Sequence, residues 1–209
     1  MSTARVLTTT RGPARVHEAG PVVGATGLLV LGHGAGGGCE APDLLAATDA
    51  ALALGWRVVR VDQPWRVAGR RVAEAPPHLD AAWTQIVAGL AGMVPGPLVV
   101  GGRSAGARVA CRTAGPLGAA AVLALAFPLC PPRSGRSRLA ELEQVEVPVM
   151  VVQGSRDAFG MPAAAPGRTL RVIAGADHAF AVRRVDARTG EEVLSEVGAA
   201  VGELLQVLT

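Results

Sequence analysis

One run in the middle of the chain constrains the fold more than any other: Leu98-Val99-Val100-Gly101-Gly102-Arg103-Ser104-Ala105-Gly106-Ala107-Arg108. An apolar, strand-like stretch passes through Gly-x-Ser-x-Gly into an Ala/Arg-rich stretch of helical character. So abrupt a change from strand to helix requires a sharp turn. Glycines on both sides permit it, because a Cβ there would meet neighbouring chain. This is the pattern of a nucleophile elbow, which holds a serine hydroxyl out at the end of a sheet. The pentapeptide alone arises by chance readily enough in a chain with 27 Gly among 209 residues. Its weight comes from what surrounds it.

Short apolar runs alternate with longer amphipathic ones along the whole chain. Strands are expected at Ala4–Thr9, Ala14–Glu18, Gly27–Leu31, Arg57–Val61, Leu98–Gly101, Ala120–Leu125, Val147–Gln153 and Thr169–Ile173. Helices are expected at Pro42–Leu54, Pro77–Met93, Ala105–Ala114, Arg138–Val145 and Gly190–Leu208. Continuous apolar strands such as Val147–Gln153 suit a sheet covered on both faces. Strand–helix alternation implies parallel strands joined by right-handed crossovers, and the two opening strands, with no helix between them, imply an antiparallel start. The expectation is one α/β domain spanning residues 1–209.

Composition narrows the function classes. Half of the residues are hydrophobic and 18% are charged, enough apolar material for a sizeable core. All 20 basic side chains are arginine, and the chain has no Lys, Tyr or Asn. Such usage reads as coding bias, so the net charge of +3 is no signal by itself. Aromatics make up only 3%, and the densest basic cluster is Arg66, Arg70 and Arg71, which argues against nucleic acid. Cys39, Cys111 and Cys130 are odd in number and lack CxxC spacing, so neither a disulfide framework nor a metal site is expected, and reduced thiols fit a cytoplasmic location. Met1 to Val16 has no apolar segment of the secretory kind. The longest apolar run, Ala119 to Phe127, falls far short of the roughly 20 residues that cross a bilayer.

Working residues of an open α/β sheet gather at the carboxyl ends of its strands, and each candidate follows an expected strand. After Gly27–Leu31 comes Gly32-His33-Gly34-Ala35-Gly36-Gly37-Gly38. Its small residues let backbone N–H groups approach a ligand. An amide near Gly34 or Ala35, together with that of Ala105, would form an oxyanion hole. A phosphate-binding reading of this loop lacks both GxGxxG and a Walker lysine. After Val147–Gln153 comes Asp157, in Gly154-Ser155-Arg156-Asp157. After Thr169–Ile173 comes His178, in Ala174-Gly175-Ala176-Asp177-His178-Ala179-Phe180. Ser104 as nucleophile, His178 as base and Asp157 as the acid that fixes the imidazole tautomer complete a triad. Asp177 adjoins His178, and adjacent side chains diverge, which favours Asp157 as the acid. His33 is expected to brace the glycine loop, with His17 and His78 at the surface. Arg108 is expected to serve as an internal ion-pair partner. Cys130 lacks an elbow and is not expected to act as a nucleophile.

Ser104, then Asp157, then His178, with His33-Gly34-Ala35-Gly36-Gly37 ahead of them, resembles the α/β-hydrolase superfamily from Leu28 onward. His33–Gly37, Arg60-Val61-Asp62-Gln63-Pro64-Trp65-Arg66, Gly102–Arg108 and Phe127-Pro128-Leu129 look most like the small cap-less group related to testis-expressed protein 30. Dienelactone-hydrolase-like proteins are a near neighbour, though many carry Cys at the elbow where this chain has Ser104. The resemblance implies a mostly parallel sheet flanked by helices, a serine mechanism and no cofactor. The interval from about Pro128 to Glu146 is too short for a full lid domain. An open site is therefore expected, lined by Trp65, Phe127, Leu129, Cys130, Met161 and Phe180. Arg66, Arg70 and Arg71 lie on the same edge, where a solvated Arg-rich loop is expected ahead of contact with a substrate carboxylate or phosphate. The partner expected is a small-molecule ester or thioester, turned over by a monomer or homodimer. A non-catalytic hydrolase-fold binding protein is the alternative, since fold does not fix function. An Asp nucleophile of the haloalkane- or epoxide-hydrolase kind is disfavoured by Ser104.

Overall fold

The computed structural model describes residues 3–70, 72–133 and 135–209. Eight strands form one sheet: β1 (Thr3–Thr9), β2 (Gly12–Ala19), β3 (Leu28–Gly32), β4 (Arg57–Asp62), β5 (Leu98–Arg103), β6 (Ala121–Leu125), β7 (Val149–Gly154) and β8 (Arg168–Ile173). Their spatial order is β1-β2-β4-β3-β5-β6-β7-β8. β1 pairs with β2 and β2 with β4 antiparallel, and every other neighbouring pair is parallel. Strand placement thus follows the apolar runs, including the antiparallel start.

Among the described residues six α-helices complete the fold: α1 (Pro42–Ala53), α2 (Pro64–Val67), α3 (Pro76–Ala88), α4 (Ala105–Thr113), α5 (Leu139–Glu143) and α6 (Gly190–Gln206). β3, β6 and β7 are buried along their whole length, because both faces of the sheet are covered. Leu44, Ala47 and Ala51 of α1 and Val193, Val197 and Val201 of α6 pack on one face with Trp56, Leu123 and Leu125. Leu79, Trp83 and Ile86 of α3 and Val109 and Ala110 of α4 pack on the other with Val30, Val100 and Val122. The edge strand β8 is mostly exposed.

Two helices differ from the sequence expectation. The run expected as one helix to Met93 ends at Ala88 with Gly89 as its C-cap, and a separate 3-10 turn covers Ala91–Met93. Glycine costs about 1 kcal/mol in a helix interior, and Gly89 and Gly92 fall within four residues of each other. The one-turn α2 was not expected. Pro64 stands at its first position, where the missing N–H costs nothing and the fixed φ suits a helix. Between β6 and β7 the described residues hold only the five-residue α5, so no lid domain covers the site. No helix among the described residues is long and apolar enough to cross a membrane.

Candidate active site

At the carboxyl end of β5 the chain turns through Ser104, whose φ of 52° and ψ of −108° lie in a region that side chains rarely adopt. Such a residue stores about 1–3 kcal/mol of strain, and its surroundings hold it there. The Ser104 N–H donates to the carbonyl of Leu125, 2.9 Å away. Gly102 and Gly106 press against β3, where an added Cβ would lie 2.3 and 2.2 Å from the Gly32 carbonyl oxygen. Only glycine fits at either position, which accounts for both glycines of the elbow.

The three residues singled out after separate strands converge. His178 Nε2 lies 3.0 Å from Ser104 Oγ, and His178 Nδ1 lies 2.8 Å from Asp157 Oδ2. Asp157 is buried. Its Oδ2 also accepts from Gln153 Nε2 at 2.8 Å and its Oδ1 from the Phe159 N–H at 2.8 Å. These bonds leave the carboxylate one orientation, with Oδ2 toward the imidazole. Asp177 is occupied elsewhere: its Oδ1 accepts from the amides of Ala179 and Ala181 and shapes the turn that carries His178.

The glycine loop packs directly beside the serine. A Cβ at Gly34 would sit 3.4 Å from the Ser104 Cβ. His33 is buried, with Nδ1 donating to the Gly34 carbonyl at 2.8 Å and Nε2 accepting from the Gln63 N–H at 3.2 Å. Those two bonds fix one neutral tautomer, and burial lowers its basicity. The ring also packs against Trp65, centroids 5.3 Å apart. Ala105 opens α4, so its N–H has no acceptor within the helix, and the N–H of Ala35 has none among the described residues.

Several residues of the site escaped the sequence reading. Gln153 is fully buried, and its amide nitrogen reaches Phe127 O, Asp157 Oδ2 and Gly160 O. A lone polar residue ending an apolar strand was the available signal. Phe159 lies against the His178 ring at 4.2 Å between centroids. Arg103, immediately before the serine, donates to the His178 carbonyl at 2.9 Å and places Nε 3.3 Å from Oδ2 of buried Asp43 on α1. Burial pushes the Asp43 carboxyl above its usual range, and the guanidinium pulls it back only in part.

The expected apolar lining divides in two. Leu129 and Cys130 are half-buried and Met161 is exposed. Trp65, Phe127 and Phe180 are instead core residues, 3%, 0% and 3% exposed. Phe127 follows Ala126 at φ 45° and Phe180 itself adopts φ 56°, turns that drive both rings into the packed layers. Cys130 Sγ lies 3.1 Å from the Gly135 carbonyl. Arg108 forms a two-point pair with Glu141, at 2.8 and 2.5 Å. Arg70 pairs with Glu74, Arg66 is exposed beside the glycine loop, and Arg71 lies outside the described residues.

His78 is exposed, but His17 is not a simple surface residue. Its Nε2 meets Asp62 Oδ2 at 3.1 Å. His17, Cys39 and Asp62 place one ligand atom each within 4.8 Å of one another. Among the described residues, this is the one group of three such side chains close enough to approach a single metal ion. Burial and the neighbouring Asp62 push the Cys39 thiol up to about 12.

Comparison with known proteins agrees with this architecture. Residues 25–206 match the family model of the alpha/beta hydrolase domain. No curated protein matches the chain. A serine hydrolase without lid from Xanthomonas campestris is similar in structure, with a TM-score of 0.76 and 20% identity over 97% of this chain and 94% of that one. The protein Est1E from Butyrivibrio proteoclasticus gives 0.75 and 15%, over 98% of each chain. A dienelactone hydrolase from Anabaena variabilis gives 0.74 and 16%, over 100% of this chain and 98% of that one. At such identities the likeness to these structures concerns the fold. With the family model spanning nearly the whole chain, the protein belongs to the α/β-hydrolase family.

Proposed function

We propose that the protein is a serine hydrolase of carboxylic esters or thioesters of small or acyl substrates. The observation that carries this reading is the continuous relay from Ser104 Oγ through His178 to Asp157, at 3.0 and 2.8 Å, on a serine held at positive φ. His178 takes the Ser104 proton as the oxygen attacks the acyl carbon, and Asp157 holds the imidazole tautomer and stabilises the imidazolium. The developing oxyanion is received by the amides of Ala105 and of Gly34 or Ala35, each donor worth about 10²–10³ in turnover. His178 then protonates the leaving alcohol or thiol, an acyl-enzyme forms, and water activated by the same imidazole releases the acid. No metal or cofactor enters these steps. With no lid over the site, Leu129, Cys130 and Met161 offer a shallow apolar surface to the acyl group. Est1E has been seen with ferulic acid bound, so aryl esters belong in the substrate panel beside short alkyl esters.

The deciding experiment is labelling with a fluorophosphonate probe, comparing wild type with Ser104→Ala. Labelling that disappears in the folded variant establishes Ser104 as the nucleophile. A folded wild type that takes no label overturns the reading in favour of a non-catalytic binding protein.

A further inference from the structure

A cavity of about 660 Å³ opens beside the glycine loop, bounded by Arg15 and His17 of β2, Gly38, Glu40, Asp62 at the end of β4, and Arg66 of α2. Its size falls within the range of about 300–1,000 Å³ typical of ligand pockets. We propose that this cavity is a subsite for an anionic group on the substrate, with Arg15 and Arg66 as its ligands. The proposal rests on the hydrolase reading above and gives that reading a substrate class: esters whose acyl or alcohol part ends in a carboxylate or phosphate.

Charge on the cavity wall supports it. Both carboxylates there are already engaged. Asp62 takes His17 Nε2 at 3.1 Å and the Cys39 N–H at 3.2 Å, and Glu40 faces Arg60 at 3.1 Å. Arg15 and Arg66 have no carboxylate partner among the described residues, unlike Arg60, Arg70, Arg103, Arg108 and Arg112. Arg15 stands opposite Asp62 in the β2–β4 register, and Arg66 of α2 lines the same cavity. Each guanidinium is a planar fork suited to two-point recognition of carboxylate or phosphate.

Position ties the cavity to Ser104. The loop that touches the serine at Gly34 reaches the cavity at Gly37 and Gly38, and the Gly37 N–H returns to the Gly34 carbonyl at 3.3 Å. A turn closed in this way keeps its end Cα atoms within about 7 Å. A Cβ at Gly38 would lie 3.6 Å from Asp62 Oδ1 and 3.8 Å from Arg66 Nε, so glycine keeps the guanidinium side of the cavity clear. A small substrate acylating Ser104 can therefore extend its far end along the loop to Arg66.

The same wall disfavours a metal ion at His17, Cys39 and Asp62. A cation there would face the guanidiniums of Arg15 and Arg66, which line the same cavity.

The test compares p-nitrophenyl butyrate with the p-nitrophenyl monoester of glutaric acid and its terminal phosphonate analogue, in wild type, Arg15→Met, Arg66→Met and Arg66→Lys. Wild type should favour one of the anionic esters, and which one identifies the group. Each Met variant should lower kcat/KM for that ester by about 10- to 100-fold, mostly through KM, as loss of one charged hydrogen bond implies. Butyrate turnover should stay within about twofold, and Arg66→Lys should restore part of the loss. Equal losses on charged and neutral esters, or no preference in wild type, overturn the proposal. Calorimetry of monomethyl glutarate and methyl phosphonobutyrate with Ser104→Ala separates the two readings. Binding of either that is lost in the Met variants, without turnover by wild type, would overturn the hydrolase reading alone. Absence of binding by both overturns the subsite, as does Zn²⁺ binding that Cys39→Ser abolishes.

Discussion

Replacing Arg103 by methionine should weaken both the fold and the reaction, and the two effects separate in a double-mutant cycle with Asp43→Asn. Methionine keeps most of the apolar stem and removes the charge. Asp43, 2% exposed, then has no counter-charge. Breaking a buried ion pair from one side typically costs about 3–5 kcal/mol. Two features place this site at the low end. Arg103 Nε and Asp43 Oδ2, though 3.3 Å apart, are not aligned as a hydrogen bond, and burial already holds the Asp43 carboxyl above its usual range, so it can take up a proton instead of staying charged. We expect about 3 kcal/mol for Arg103→Met and about 1 kcal/mol for Asp43→Asn, which leaves Arg103 bonded to the His178 carbonyl. The double variant should cost about 3 kcal/mol, a coupling of about 1 kcal/mol. The folded form of Arg103→Met binds the Asp43 proton more tightly than the unfolded chain does. Its stability deficit should therefore grow as pH rises above the unfolded aspartate value of about 3.9. Urea unfolding between pH 4 and 8 measures both quantities. Ester turnover should drop about tenfold in Arg103→Met, because the His178 backbone loses its anchor, and stay near wild type in Asp43→Asn. Stability losses that add within about 0.5 kcal/mol, or equal losses of turnover in the two single variants, would refute the bridge from α1 to His178.

Two further outcomes follow from the same geometry. Asp157→Asn should leave the unfolding midpoint within a few degrees of wild type while lowering kcat by about 10⁴, since an amide would favour the wrong imidazole tautomer; the check is turnover beside a melting curve, and an unchanged kcat would remove Asp157 from the mechanism. Glu18 bridges Arg5 and Arg57 at the start of the sheet. Burial raises its carboxyl, but the guanidinium hydrogen bonds outweigh that and hold it below the usual range. Its contribution is full above the unfolded glutamate value of about 4.3 and is lost as pH falls toward the folded one, so Glu18→Gln should flatten the acid limb of a urea-midpoint profile between about pH 5 and 3.

How much was legible before the structure depends on whether the signal is local. Parallel strands buried on both faces read as unbroken apolar runs, so β3, β5, β6 and β7 stand out in the sequence, and topology then assigns their carboxyl ends to one edge. Ser104 and Asp157 come just past two of these strands, β5 and β7, and His178 comes past the exposed edge strand β8, whose carboxyl end lies on the same side of the sheet; residues far apart in the chain could therefore be grouped without coordinates. What was missed depends on side-chain direction or on long-range register. Phe127 and Phe180 have the right location for a pocket wall but the wrong direction, because positive-φ turns at Ala126 and at Phe180 itself drive the rings into the core. His17 reads as a surface histidine because its contact with Asp62 exists only once β2 pairs antiparallel with β4. That pairing also brings Arg15 to the wall where α2 delivers Arg66; the sequence placed Arg66 on the edge of the site but carried no sign of the one-turn helix or of Arg15 beside it. The chemistry common to the fold lies at strand ends, where periodicity reveals it. The residues proposed to choose a substrate lie on an antiparallel pairing inside the sheet and on a one-turn helix, where neither period nor spacing carries a signal.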